Sequence, residues 1–149
     1  MSKPVPTEWG KWLRASINKH FSVASSVHVH IEGMRRETHN KTEWIEIRLD
    51  GPIFQEHTHG QYQIDVEVNI AVCVVYSTNA YRVSALMQEM AAAFTQVITI
   101  YKYGDDGSVF DYITLTPKGQ SRVQEFNFGR VDGIHQGAVE SRYRGYFNT

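Results

Sequence analysis

The feature of the sequence that most constrains its fold is a stretch of roughly 15 residues, 61–75, in which apolar and polar residues alternate. The apolar positions are Tyr62, Ile64, Val66, Val68, Ile70, Val72 and Val74, and the polar ones are Gln61, Gln63, Asp65, Glu67 and Asn69. Successive side chains of a β-strand point to opposite faces, so the alternation predicts one long strand with one buried face. From Ala71 both sets are apolar, which predicts that this end is covered on both faces.

A strand of this length predicts a part that projects from the domain. Roughly 15 residues at about 3.3 Å each span about 50 Å. A domain of 149 residues is only about 30 Å across. The excess is predicted to form a projecting β-hairpin, and its exposed edges are templates for pairing with other chains.

The other periodicities predict two helices and the rest of a sheet. Helical spacing marks 8–21 and 80–95, and alternation marks strands over 27–32, 44–49, 97–103, 110–116, from 121, and over 138–147. Asp50-Gly51-Pro52 is typical of a turn, and the segment up to Gly60 is predicted to be irregular. The sequence therefore predicts a single α+β domain, 1–149, with a mostly antiparallel twisted sheet, a long projecting β-hairpin and two helices packed on one face.

The charge distribution of the chain is uneven although its formal net charge is only −1. A near-neutral chain is not expected to be a general binder of nucleic acid or of membranes, because both select a basic surface. Residues 1–42 carry seven Lys and Arg against three acids, whereas 43–67 carry six acids against Arg48 alone. Fields of opposite sign could draw copies of the chain together, and an ordinary solvated surface is the alternative.

Several classes of function lack their sequence signals. No run of about 18 apolar residues occurs, and the opening residues have no apolar core of signal-peptide length, which predicts a cytoplasm-like compartment. The chain contains neither a phosphate-binding glycine loop nor a Gly-x-Ser-x-Gly elbow. Its one cysteine, Cys73, lies in an apolar strand pattern and is predicted to be buried and inert.

The histidines provide the alternative of a catalytic metal. His57 and His59, preceded by Gly51, resemble the start of a cupin metal motif, but Gln63 and Ile64 stand where that motif requires a glutamate. Asp65 and Glu67 share a strand face and could act as paired carboxylates, although a solvated strand face is the favoured interpretation. No cofactor and no metal are therefore predicted, and the chain is not expected to be an enzyme.

The order of elements along nearly the whole chain resembles the tail terminator proteins of long-tailed bacteriophages and gene transfer agents, also called tail-completion or tail-to-head joining proteins. The resemblance is carried by the helix 9–21, the hairpin of 44–49 with 62–76, the helix 80–95 and the closing strands. No diagnostic motif and no catalytic residue transfers with it.

The resemblance implies a ring, expected to have six subunits, that caps the finished tail tube, ends its polymerisation and joins the tail to the head. The expected partners are other copies of the chain, the tail tube protein, a head-completion or neck protein and, transiently and without sequence specificity, DNA; no membrane is expected. The location would be the virion tail, and the host cytoplasm during assembly. A different tail or neck ring component, a small metal enzyme using His57 and His59, and a small-ligand binding module stay open as alternatives.

The ring model gives roles to particular residues. Gln63, Asp65 and Glu67 are predicted to face the DNA channel, where carboxylates would repel phosphates. The predicted subunit interface comprises Arg35, Arg36, Glu46, Arg48, Arg142 and Arg144.

Overall fold

The computed structural model describes residues 9–31, 42–75, 81–118, 124–131 and 134–148. The elements are α1 (Trp9–Ala24), β1 (His28–Ile31), β2 (Glu43–Thr58), β3 (Gln61–Val75), α2 (Tyr81–Phe94), β4 (Ile98–Tyr103), β5 (Val109–Pro117), β6 (Gln124–Val131) and β7 (Ile134–Asn148). Neither helix is long and apolar enough to cross a membrane.

The strands form one seven-stranded sheet in the order β1-β2-β3-β7-β5-β4, with β6 also paired to β7. Strand β7 is antiparallel to β3 along its whole length, and its other edge is shared by β6 and the end of β5. The pairing of β1 with β2 is parallel. The predicted α+β fold with a mostly antiparallel sheet is therefore confirmed.

The core lies between the helices and one face of the sheet. Helix α1 contributes Trp9, Leu13, Ile17 and Phe21, and α2 contributes Val83, Leu86, Met87, Met90, Ala93 and Phe94. These positions recur every three or four residues, so each helix presents one apolar stripe to the sheet. The rings of Phe21 and Phe94 lie 5.0 Å apart and join the two helices. The even-numbered residues of β3 from Ile64 to Val74 fill the same core, as the alternation predicts.

Strand β2 continues through the segment that the sequence marks as a turn, so the prediction of an irregular stretch up to Gly60 is wrong. Asp50 pairs with Glu67 and Ile53 with Asp65, which places one extra residue in β2. Such a bulge reverses the faces that later side chains occupy. Gly51 has a φ of 99°, a backbone conformation that residues with a Cβ rarely adopt.

The predicted β-hairpin is present as an antiparallel pair, but its projection as a free hairpin is not confirmed. Strand β7 accompanies β3 to its first residue, where Gln61 pairs with Asn148. The result is a three-stranded ribbon of β2, β3 and β7. The ring of Phe147 lies 5.6 Å from that of Tyr62 and 6.0 Å from that of Trp9, so the start of α1 packs against the ribbon. At the end of the ribbon, residues 55–59 are exposed.

Candidate functional site and interaction surfaces

The sheet face opposite the helices, called the polar face below, carries every predicted channel and interface residue that lies within the described residues. These are Glu46, Arg48, Gln63, Asp65, Glu67, Arg142 and Arg144, at alternate positions of β2, β3 and β7. Arg35 and Arg36 lie outside the described residues. The structure thus brings together on one face residues that the sequence assigns to two different surfaces.

The acids of the polar face are paired with its arginines. The Arg144 Nε donates to Asp65 Oδ1 at 2.8 Å, and the Arg142 Nε lies 3.5 Å from Glu67 Oε2. Gln63 Nε2 also donates to Asp65 Oδ2 at 2.6 Å. Burial raises the pKa of Asp65, but the hydrogen bonds from Arg144 and Gln63 outweigh it, so the pKa is below its usual value. Asp65 is therefore a stably ionised member of an ion pair.

The other predicted interface residues of the polar face have partners on their own strand. The Trp44 indole donates to Glu46 Oε1 at 3.0 Å, and Arg48 Nη2 lies 3.6 Å from Asp50 Oδ1. The side chain of Arg48 is largely exposed, so this pair contributes little to stability. Opposite charges alternate across the polar face, and the repulsion of phosphate that the sequence predicts from Asp65 and Glu67 is reduced by the arginines beside them.

The histidine pair of the metal alternative lies at the exposed end of the ribbon. His57 is the extra residue of a second bulge in β2, and His59 lies in the turn that leads to β3. The nearest aromatic neighbour of His57 is Tyr146, at 5.4 Å between ring centroids. Within the described ranges, no group of three or more His, Cys, Asp or Glu residues is arranged to hold a metal ion.

A second surface, which the sequence analysis missed, lies on the hairpin of β4 and β5. Four aromatic side chains are exposed there: Tyr101 at 40%, Tyr103 at 40%, Phe110 at 72% and Tyr112 at 62%. This set is called the hairpin aromatic surface. The signal was available in the sequence, because each strand has two aromatic residues at alternate positions, and the intervening set of positions already supplies aliphatic residues for the core. The aromatic residues are Tyr101, Tyr103, Phe110 and Tyr112, and the aliphatic ones are Ile98, Ile100, Ile113 and Leu115.

A groove runs beside this surface, between α1 and the outer edge of β4. It has a volume of about 310 Å³ and is lined by Trp12, Ala15, Ser16, Lys19, His20, Ile98, Thr99, Tyr101 and Tyr103. The rings of Trp12 and Tyr103 lie 5.8 Å apart. The backbone N–H of Tyr101 donates to Ser16 Oγ at 3.4 Å, which is a long bond. The ammonium of Lys11 lies 4.8 Å from the Trp12 ring, so the rim of the groove is cationic.

The β4–β5 hairpin is anchored to the sheet by a close approach of β5 to β7. Thr116 and Pro117 pair with Arg144 and Tyr143. A Cβ added at Gly145 would lie 2.7 Å from Leu115 Cδ2 and 2.8 Å from the Thr114 backbone oxygen. Only glycine at this position allows the two strands to lie so close together. This close approach fixes the position of the β4–β5 hairpin and of the hairpin aromatic surface that it carries.

Comparisons with known proteins show that other proteins share this fold, but they do not identify a function. No protein-family model matches the chain. No curated protein matches it either. The chain is similar to a solved structure that carries no functional name, with a TM-score of 0.57 and 12% identity over 94% of this chain and 97% of the other. This is one of 19 matching solved chains, so the fold recurs, and at such identity the likeness concerns the fold alone.

Proposed function

We propose that this protein is the subunit of a six-membered ring that caps the tail tube of a long-tailed phage or gene transfer agent. In this role it ends tube polymerisation and joins the tail to the head. Its partners are further copies of itself, the tail tube protein and a head-completion or neck protein, and its place is the virion tail. The order of helices and strands supports the proposal, together with a sheet that leaves interaction surfaces exposed.

The observation that carries the proposal is the hairpin aromatic surface. With about 200 Å² for each aromatic side chain, the exposed fractions of its four members correspond to roughly 400 Å² of apolar area. That is about half of what one partner contributes to a standard protein interface. Aromatic side chains are enriched in interface cores, and exposed apolar area of this size is often functional on a folded protein.

The test is the oligomeric state of the purified protein, measured by native mass spectrometry over a concentration series. A closed oligomer of six is expected for the natural sequence. The double variant Phe110→Ser/Tyr112→Ser should remain monomeric at the same concentrations. Val23→Ser is the matched control, because Val23 is 78% exposed on α1, away from the hairpin, and should leave assembly unchanged. A natural sequence that is monomeric even with tail tubes present would refute the proposal.

The position in the virion needs a second measurement. Electron microscopy of tail tubes assembled with gold-labelled protein should find the label at one end of each tube, and adding the protein should stop tube growth. Label along the whole tube, or at the neck of heads without tails, would assign the ring to a different component of the tail or neck.

The polar face has a defined role in this proposal, as the wall of the DNA channel. Each channel carboxylate balances an arginine, Asp65 with Arg144 and Glu67 with Arg142, so passing phosphates meet neither strong repulsion nor free cations. Removing only the acids would uncover the arginines and make the wall adhesive.

The channel role predicts that particles built with Asp65→Asn/Glu67→Gln release their DNA more slowly, with a stronger dependence on salt. The matched control adds Arg142→Gln and Arg144→Gln to the same protein, which removes the uncovered cations and should restore release. Unchanged release from normally assembled variant particles would place the polar face outside the channel.

A further inference from the structure

Two regions of the molecule differ in chemistry in a way that suits contact between copies. One is the ribbon end, defined here as residues 53–59 with Tyr146. The other is the groove between α1 and β4. The ribbon end offers Ile53 at 63% exposure and Tyr146 at 43%, beside the His57 ring. These are unusually apolar groups for the exposed tip of a polar ribbon.

The charges of the two regions are complementary. The ribbon end contains one carboxylate, Glu56, and no lysine or arginine. The groove is lined by Lys19 and flanked by Lys11, and Lys102 lies 5.2 Å from the nearby Trp9 ring. None of the residues that line the groove is acidic. A ribbon end and a groove therefore attract each other, whereas two grooves repel.

The shapes also correspond. The groove is open along a strand edge, where the Tyr101 N–H donates to Ser16 Oγ in a long bond of 3.4 Å. An edge of this kind accepts an extended segment alongside it, with side chains entering between the neighbouring aromatic rings. The ribbon end is itself extended chain, and its residues 55–59 are exposed, so it can enter without unfolding.

We propose that the ribbon end of one copy docks in the α1–β4 groove of a second copy. The contact is head-to-tail, since two different surfaces meet, and such contacts repeat around a ring until it closes. The inference deepens the proposed ring function and rests on it. It assigns Tyr101 and Tyr103 to the receiving side and Glu56 and Tyr146 to the inserting side.

The head-to-tail geometry permits a complementation experiment. The groove variant Tyr101→Ser/Tyr103→Ser keeps its ribbon end, and the ribbon variant Glu56→Lys/Tyr146→Ser keeps its groove. All four positions are exposed, so both variants should fold, which circular dichroism checks. Each variant alone should assemble about 10-fold more weakly than the natural sequence or worse, because interface aromatics carry a large share of binding energy.

The decisive sample is an equimolar mixture of the two variants in native mass spectrometry. One intact groove then meets one intact ribbon end, and the expected species is a dimer containing one copy of each variant. A mixture that stays monomeric, or either variant alone forming rings at the concentrations at which the natural sequence does, would overturn the docking. If the natural sequence still forms rings in that case, the ring proposal survives with a different interface. If the natural sequence is monomeric at every concentration and on tubes, both proposals fail.

Discussion

The close approach of β5 to β7 at Gly145 yields the sharpest quantitative prediction. Gly145→Ala places a Cβ 2.7 Å from Leu115 Cδ2 and 2.8 Å from the Thr114 oxygen, closer than the 3.0 Å that real Cβ atoms observe. Leu115 is fully buried and the Thr114 oxygen belongs to the backbone, so neither can move aside alone. Strand β5 has to shift as a whole. Overpacking of a buried site costs about 1–3 kcal/mol, and we expect the upper end of that range.

The expected loss is measurable in two ways. For a chain of this size, about 3 kcal/mol lowers the melting temperature by roughly 6–12 °C. Urea denaturation followed by circular dichroism should show unfolding at a lower midpoint concentration of urea, while the dependence of the unfolding free energy on urea concentration stays unchanged. Both measurements belong at a fixed protein concentration, because assembly adds to apparent stability.

A control glycine lies in α1. A Cβ at Gly10 would meet nothing within 4 Å, so Gly10→Ala should be neutral or slightly stabilising through helix propensity. If the free energy of unfolding of Gly145→Ala is within about 0.5 kcal/mol of that of the natural sequence, the β5–β7 junction tolerates a Cβ, and glycine at this position does not anchor the hairpin.

Three further predictions concern buried and paired polar groups. Tyr143 is fully buried and its hydroxyl donates to the Phe94 carbonyl at 2.9 Å, so Tyr143→Phe should cost about 1–3 kcal/mol of unfolding free energy; a neutral effect in urea denaturation would contradict this. Burial also raises the pKa of Tyr143, so its hydroxyl should not titrate in ultraviolet absorbance while the protein is folded. The pKa of Asp65 is lowered in the fold, so its stabilising effect is complete above the unfolded value near 3.8 and disappears as pH falls through the folded value. Asp65→Asn should therefore cost up to about 1 kcal/mol at neutral pH and progressively less as the pH falls below 3.8, and a loss that does not change with pH would exclude the ion pair as the cause.

Much of the fold could be predicted because its strands alternate regularly. The buried even-numbered residues of β3 and the apolar stripes of the helices could be predicted from the sequence. Apolar residues that recur every 2 residues in a strand, or every 3.6 residues in a helix, show which side of the element is buried. The continuation of β2 past Gly51 could not be predicted in this way. Gly51 and Pro52 are residues typical of turns, and the bulge that accommodates them depends on the pairing of β2 with β3. A local sequence pattern does not indicate that pairing.

The interaction surfaces were only partly readable. The sequence indicates that Asp65 and Glu67 share a face, but their pairing with Arg144 and Arg142 depends on the register between β3 and β7. The register between these strands pairs residues that are about 80 positions apart in the sequence. The distribution of charges along the chain does not predict which of them become neighbours. Acids and arginines that look like separate blocks in the sequence thus become neighbours.

The position of β7 has a consequence for how the chain acquires its structure. This strand lies between β3 and β5 and also pairs with β6, yet it follows all of them in the sequence. Until it inserts, the edges of β3 and β5 are open, and loop closure over so long a separation is slow. During that interval a β7 from another copy can occupy the same place. Strand exchange between incompletely folded chains is therefore the expected route to misassembly, and it should increase with the concentration at which the protein is refolded.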